Sequence, residues 1–234
     1  MGALLTARSV LLLLLIWLLQ AAGVAHAIDK GDLKEVPTDL KDRVFGAFTA
    51  VPVYYLVTEG GGGLVQRFDP PHPAFRVPMG FVIVLYLDPQ AAEEYRRIAE
   101  QKDRRRYVIR SSPLDRILLA QYSAIGRPPS DNLEAPDFVV LERLGGLPVV
   151  FLEFLMDERS KAPYVASAGG RRFIPAFVSR QEAIEFQQRM EKQTGRAFTR
   201  VGQDFRRFLR FVGEHAASET PVAVFGYGRG SGSR

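Results

Sequence analysis

Few side chains in this sequence have the types and spacing that metal binding or catalysis requires. Apart from His26, which lies near the N-terminus, the histidines are His72, in a proline-rich stretch, and His215, near the end of the last helical pattern. Neither lies in an H-E-x-x-H pattern or another metal-ligand spacing, and the sequence contains no cysteine. It also lacks the G-x-S-x-G nucleophile elbow and the S-x-x-K pattern that gives a serine its lysine base. We therefore predict no metal site, no cofactor and no enzymatic activity.

Four consecutive glycines, Gly60 to Gly63, are the nearest approach to a phosphate-binding loop. Such a loop should open into the N-terminus of a helix and place a lysine or polar side chain on the phosphates. Here the glycines lead into Leu64 and Val65, and residues rich in β-branched and aromatic types precede them. This pattern predicts the tip of a β-hairpin.

Two acidic pairs could be interpreted as acid–base groups. Glu93 and Glu94 form one pair, and Glu182 and Glu185 form the other. Each pair falls in the first turns of a predicted helix, where negative charge offsets the helix dipole. We interpret both pairs as structural.

The last predicted helix carries a basic face opposite an apolar stripe. A solvated outer face is one interpretation of these arginines, and contact with anionic lipid headgroups or an acidic polypeptide is the other. The residues concerned are Arg200, Arg206, Arg207 and Arg210.

The N-terminus has the pattern of a secretory signal peptide. A basic residue, Arg8, precedes an apolar run over residues 10–19, and the A-x-A site ends at Ala27. An uncleaved anchor is the alternative, although the run is shorter than the roughly 20 residues of a transmembrane span. We expect an exported protein that works in the periplasm, or between the two membranes of a plastid envelope.

The net charge and the absence of cysteine limit the kinds of partner and the sources of stability that we expect. The net charge of +5 favours acidic partners or an anionic membrane surface in a weak, salt-dependent way, and export argues against nucleic acid. An exported compartment permits disulfides, but the absence of cysteine leaves stability to the packed core.

Two parts of the chain are similar to each other. Residues 84–95 align without gaps on residues 175–186, at an offset of 91, and residues 51–56 align on residues 147–152 at an offset of 96. Because missing an internal repeat gives the wrong fold, this similarity decides the fold prediction. We predict an α/β or α+β protein in which two strand-strand-strand-helix-strand-helix units are related by a pseudo-twofold axis.

Proline, glycine and serine clusters suggest where the repeats begin and end. The predicted organisation is a signal peptide over 1–27, a first repeat with a helical lead-in over 28–127, a linker over 128–136, a second repeat over 137–216 and a disordered tail over 217–234. Within each repeat a buried strand is followed by a capped helix, with Asp88 as the first cap and Ser179 as the second.

The second repeat carries the clearest resemblance to a known family. Residues 147–151 (LPVVF) and 173–182 (FIPAFVSRQE) resemble motifs of the Tic 22 kDa-subunit family, soluble components of the translocon at the inner envelope of chloroplasts with relatives in cyanobacteria. The resemblance extends more loosely over most of residues 51–211. It implies a non-enzymatic, chaperone-like protein that holds unfolded precursor polypeptides between two membranes. In a bacterial periplasm the clients would be outer-membrane precursors, and the partners would include the outer-membrane assembly machinery.

Three functions remain open from the sequence. The first is a polypeptide-binding chaperone or translocation factor with apolar grooves, the second is a carrier of a small apolar ligand such as a lipid, and the third is an unrecognised hydrolase. An open groove favours the first, an enclosed pocket the second, and a polar cleft with perturbed carboxylates the third. The predicted groove residues for the first function are Val53, Tyr55, Phe81, Val149, Phe151, Phe173 and Phe177.

Overall fold

The computed structural model describes residues 30–67, 81–125, 137–141, 151–216 and 218–226. Two short helices come first, and two α/β units follow. The elements are α1 (Lys30–Lys34), α2 (Lys41–Gly46), β1 (Pro52–Thr58), β2 (Val65–Arg67), β3 (Phe81–Tyr86), α3 (Pro89–Asp103), β4 (Tyr107–Pro113), α4 (Leu114–Ala124), β5 (Asp137–Leu141), β6 (Phe151–Asp157), β7 (Ala166–Ala168), β8 (Arg171–Phe177), α5 (Arg180–Thr194), β9 (Phe198–Asp204), α6 (Phe205–Ala216) and β10 (Val222–Phe225).

The first sheet is built around β1 and β3. Strand β1 pairs antiparallel with β4 along its whole length, and it meets β3 at the pair Tyr54 and Tyr86. Strand β2 pairs antiparallel with β3 beyond that point, and β5 lies parallel to β3 on the other side. Helix α3 covers one face of this sheet and α4 packs on the other.

The second sheet repeats this arrangement. Strand β6 pairs antiparallel with β9 and β8, β7 pairs antiparallel with β8, and β10 lies parallel to β8. Helix α5 covers one face and α6 the other. The fold is therefore of the mixed α/β class, as predicted from the sequence.

Helix ends in the two units are built alike at positions 91 apart. The side chain of Asp88 accepts the N–H of Gln90 at the start of α3, and the side chain of Ser179 accepts the N–H of Glu182 at the start of α5. The C-terminal caps, Arg104 and Gly195, both take the left-handed conformation. The two units thus share strand order and capping, while an origin by duplication of the sequence stays a prediction.

The predicted boundaries differ from the structure in two places. Strand β5 begins at Asp137, the predicted start of the second repeat, but it pairs with the first sheet. Residues 222–225, which we placed in a disordered tail, form β10 instead, and Val222 and Val224 are buried. Both segments are apolar, and each gains a parallel partner that is distant in sequence. The predicted signal peptide and linker lie outside the described residues.

One core connects the two units. Its buried side chains come from both sheets and from helices α2, α4 and α6. Phe48, just after α2, contacts the rings of Phe205 and Phe208 at centroid distances of 5.9 and 6.0 Å. The N-terminal helices therefore join the two units, because α1 and α2 pack on α4 and α2 also packs on α6.

An ion pair fastens the N-terminal segment to the second unit. Arg206 of α6 donates from Nε to Asp32 of α1 at 2.8 Å, and the Asp32 side chain is only 1% exposed. The same guanidinium lies 3.4 Å from Glu35. A buried carboxylate needs such a donor, since burying an ion without a partner is costly.

Replacing Arg206 by alanine should therefore destabilise the fold. We expect Arg206→Ala to lower the free energy of unfolding by about 1–3 kcal/mol, because a buried carboxylate loses a charged hydrogen bond. Urea denaturation at neutral pH measures this difference.

The neighbouring arginine is the control. The Arg207 side chain is 78% exposed beside Asp204, so Arg207→Ala should change stability by less than about 0.5 kcal/mol. Equal effects of the two substitutions would contradict a stabilising role for the Asp32 pair.

Candidate functional site

An apolar groove lies between α4 and the adjacent face of the first sheet. We call it the sheet–helix groove; its volume is about 420 Å³ and it is open on one side. Its apolar lining comes from three strands and one helix, and polar atoms are supplied by Arg110 and Gln121. The apolar residues are Tyr55, Val57, Ile83, Leu85, Ile117, Ala120 and Phe138.

Small residues keep this groove open. Gly61 and Gly63, in the turn between β1 and β2, contribute no side chain to its wall. Gly61 has a φ of +86°, a conformation that favours glycine, and a Cβ on Gly63 would lie 3.4 Å from Ile83. On the helix side, Ala120 is exposed and fills little space. The glycine run therefore forms a tight hairpin tip at the groove rather than a phosphate cradle.

A second groove, the α6 groove, separates the N-terminal segment from helix α6. It has a volume of about 550 Å³. Its apolar walls are Val36, Pro37, Leu40, Val44 and Leu209, and its charged rim consists of Glu35, Arg206, Arg210 and Glu214.

The four predicted surface arginines have different environments. Arg200 donates to Glu153 at 3.0 Å and to the side chain of Gln187, Arg206 belongs to the Asp32 pair, and Arg207 lies 3.4 Å from Asp204. Arg210 is exposed and forms no ion pair within the described ranges. The prediction of one basic face on the last helix is wrong for Arg200, which lies in β9 and contacts α5. Of the four arginines, Arg210 is the one that remains for an acidic partner.

The structure brings one of the predicted groove residues, Tyr55, into the sheet–helix groove. Val53 lies two residues before Tyr55 on the same face of β1. Helices cover the sheet at that point, so Val53 is 0% exposed and belongs to the core. Phe177 is 7% exposed and packs on Phe186 and Phe225, on the α5 side of the second sheet. Phe173 also contacts Phe225. These three side chains do not form a groove.

The remaining predicted residues cannot be placed as side chains. Phe81 begins β3 and Phe151 begins β6, but their side chains lie outside the described part of the structure, as does the whole of Val149. Sequence reasoning also missed most of the groove lining. Val57 follows Tyr55 by two residues, and Ile117, Ala120 and Gln121 have helical spacing, so both patterns were available. Phe138 could not be predicted from local spacing, because β5 contributes to the groove only through its parallel pairing with β3.

Carboxylates with shifted pKa values lie away from both groove floors. Hydrogen bonds from the Arg96 guanidinium lower the pKa of Glu93 to about 2. The backbone N–H of Tyr107 lowers the pKa of Glu100, and backbone N–H groups led by that of Ser160 lower the pKa of Asp157. These shifts keep the groups ionised near neutral pH, which is the opposite of what a general acid requires.

Two kinds of feature are absent from the described residues. No group of three or more histidine, cysteine, aspartate or glutamate side chains there could hold a metal ion. Among the same residues, no helix combines the length and the apolar composition needed to cross a membrane.

Solved structures of Tic22 proteins share this fold. Anabaena Tic22, described by the words protein transport, matches with a TM-score of 0.56 at 13% identity, over 79% of this chain and 92% of that one. Tic22 from Plasmodium falciparum matches with a TM-score of 0.51 at 9% identity, over 77% of this chain and 90% of that one. No family model and no curated protein sequence matches the chain. The Tic22-like fold expected from the sequence is thus confirmed, and at these identities the likeness concerns the fold alone.

The low pKa of Glu93 can be tested directly. Carboxyl NMR titration should give a midpoint near 2, and Arg96→Ala should raise it toward the ordinary value of 4.5, because the guanidinium favours the ionised form. Any stability contributed by this pair is present above the ordinary pKa and is lost as the pH falls through the lowered one.

Arg97 provides the comparison for this titration. It lies 3.3 Å from Glu93 but is 74% exposed, so Arg97→Ala should move the midpoint less than Arg96→Ala does. A midpoint that Arg96→Ala leaves unchanged would show that the shift has another cause.

Proposed function

We propose that this chain is a protein-transport factor that binds unfolded precursor polypeptides in the sheet–helix groove. The observation that carries the proposal is this half-open apolar groove on a Tic22-like fold. The likeness to Anabaena Tic22, a protein described as acting in protein transport, supports the transport role. The leader pattern supports a periplasmic setting, in which outer-membrane precursors would be the clients and the assembly machinery a partner.

The chemistry of the groove suits apolar side chains of a polypeptide. Seven of its lining residues are apolar, and they come from rigid elements, so the surface exists before a client arrives. Burial of apolar side chains would supply the binding energy, at roughly 25 cal/mol per Å² before the cost of ordering the client. Because the groove is open on one side, a segment can enter and leave without threading.

The lining of the groove favours binding over catalysis. Its polar side chains within the described residues are those of Arg110 and Gln121, which do not form a nucleophile and base. The carboxylates with shifted pKa values belong to α3 and to the last residue of β6, where they stabilise local structure. We therefore propose a non-enzymatic role.

The α6 groove favours a second candidate function. It combines apolar walls with the exposed cation of Arg210, a combination that suits an acyl chain with an anionic headgroup. A carrier of an apolar ligand such as a lipid would use this groove. Native mass spectrometry of the purified protein would detect a co-purifying lipid, and a ligand-free mass would contradict this alternative.

A tryptophan placed in the sheet–helix groove tests the main proposal. Ala120 is an exposed lining residue, so Ala120→Trp should fill the groove without disturbing the core. We expect it to weaken the binding of an unfolded outer-membrane protein by about tenfold, equivalent to ~1.4 kcal/mol. Light scattering during dilution of the client from urea reports suppression of aggregation, and fluorescence titration reports affinity.

The matched control lies on the same helix. Ser123 is exposed and is not part of the groove lining, so Ser123→Trp adds the same side chain elsewhere. It should suppress aggregation as well as the wild type does. The proposal is wrong if the wild-type protein fails to bind the client, or if both tryptophan variants lose binding equally while remaining folded.

A further inference from the structure

Strand β4 is an edge of the first sheet. All seven of its residues pair with β1, from Tyr107 opposite Thr58 to Pro113 opposite Pro52. No strand in the described part of the chain pairs with its outer side. Natural proteins usually protect such edges, because a free edge is a template for another extended chain.

The hydrogen-bond register shows which groups face outward. The N–H of Leu114 donates to the carbonyl of Val51 at 2.8 Å. Because hydrogen-bonded pairs alternate along an antiparallel ladder, the backbone N–H and C=O groups of the even-numbered residues of β4 point toward β1. The backbone N–H and C=O groups of the odd-numbered residues therefore point outward, away from β1. The N–H of Tyr107 agrees with this phase, since it donates to the side chain of Glu100 at 2.9 Å.

The next two outward positions, Ile109 and Ser111, are unpaired. Their N–H and C=O groups have no hydrogen-bond partner within the described residues. Ser111 is exposed and Ile109 is half-buried, so a second chain can reach both. The ladder ends at Pro113, which has no N–H to donate.

The free edge continues the surface of the sheet–helix groove. Val108 lies opposite Val57, and Arg110 lies opposite Tyr55, on the sheet face that lines the groove. Val108 is 44% exposed, so it offers apolar surface beside the edge. A chain added at the edge would therefore direct every second side chain along the groove face.

We propose that β4 captures an extended client segment as an additional antiparallel strand, and that the segment carries apolar side chains at every second position. This inference rests on the proposed function and specifies its substrate class. The amides of Ile109 and Ser111 bind the client backbone, which makes binding tolerant of sequence. Selectivity comes from the alternation of apolar and polar residues in the client, since its apolar side chains pack beside Val108 on the groove face.

A second copy of this chain fits the edge less well. In an antiparallel pairing of two β4 strands, the register that uses both free positions sets Ile109 opposite Ser111 of the other copy. That register also sets Arg110 opposite Arg110. Like charges directly opposite each other destabilise a strand pair. An unfolded client avoids this repulsion, and an acidic residue opposite Arg110 would strengthen its binding.

The backbone of the client provides the sharpest test. The probe is a nine-residue peptide with valine and threonine alternating and a glutamate replacing the central valine, and fluorescence anisotropy measures its binding to the purified protein. In an antiparallel pair, residues that hydrogen bond to Ile109 and Ser111 share their sheet face, which is the face away from the groove. The threonine amides must therefore point at β4 and the valine amides away from it.

Two N-methylated versions of the peptide distinguish the threonine amides from the valine amides. Methylation of the threonine amides should weaken binding by at least tenfold, and methylation of the valine amides should leave it within about twofold. Equal losses with the two peptides, or a loss with the valine version alone, would overturn the proposal.

A proline on the edge gives the reciprocal test. Ser111→Pro removes an outward N–H and no hydrogen bond to β1, so it should weaken the peptide by at least tenfold while circular dichroism shows a folded protein. Gly202 stands 91 positions later, in the middle of β9, and Gly202→Pro is the matched control that should bind normally. Equal affinities for the two variants would overturn the assignment to β4.

Three further outcomes are decisive. A dimer detected by light scattering that Ser111→Pro dissociates would assign the edge to a second copy and overturn the proposal. If unfolded client binds and Ala120→Trp weakens it, but Ser111→Pro has no effect, the edge proposal falls while the groove function stands. If the wild-type protein binds no unfolded client at all, both fall.

Discussion

The register of β1 against β4 is the constraint on which the proposed surfaces depend. It sets Tyr55 beside Arg110 and Val57 beside Val108, and it directs the amides of Ile109 and Ser111 outward. A slip of one residue would move every side chain of one strand to the opposite face. The groove floor would then face α3, and the free edge would present different amides. Val53 and Leu114, buried at the same end of this strand pair, oppose such a slip.

Local signals predicted the helices better than the sheets. Asp88 with Pro89, and Ser179 with its capping pattern, mark helix starts because the relevant hydrogen bonds lie within a few residues of the cap. The stripe of Phe205, Phe208, Leu209 and Val212 is likewise a local pattern, and all four side chains are buried.

The sheets depend on partners that no local pattern specifies. Strands β5 and β10 each find a parallel neighbour across a long connection, so their membership could not be deduced from their own residues. The same limit applies to the site. Alternation alone cannot tell Val53, which the helices bury, from Tyr55, which lines an opening, because both occupy one face of β1.

Strand β10 brings residues 222–226 against the segment that follows α2. Its Val224 donates an N–H to the carbonyl of Ala47 at 3.0 Å, and Gly226 fits so closely that a Cβ there would lie 3.1 Å from Val51. This part of the core therefore stays incomplete until residues 222–226 have reached residues 47–51. Contacts of such long sequence separation form slowly, since loop closure precedes their stabilisation. We expect the docking of β10 to be a late step in the folding of this core.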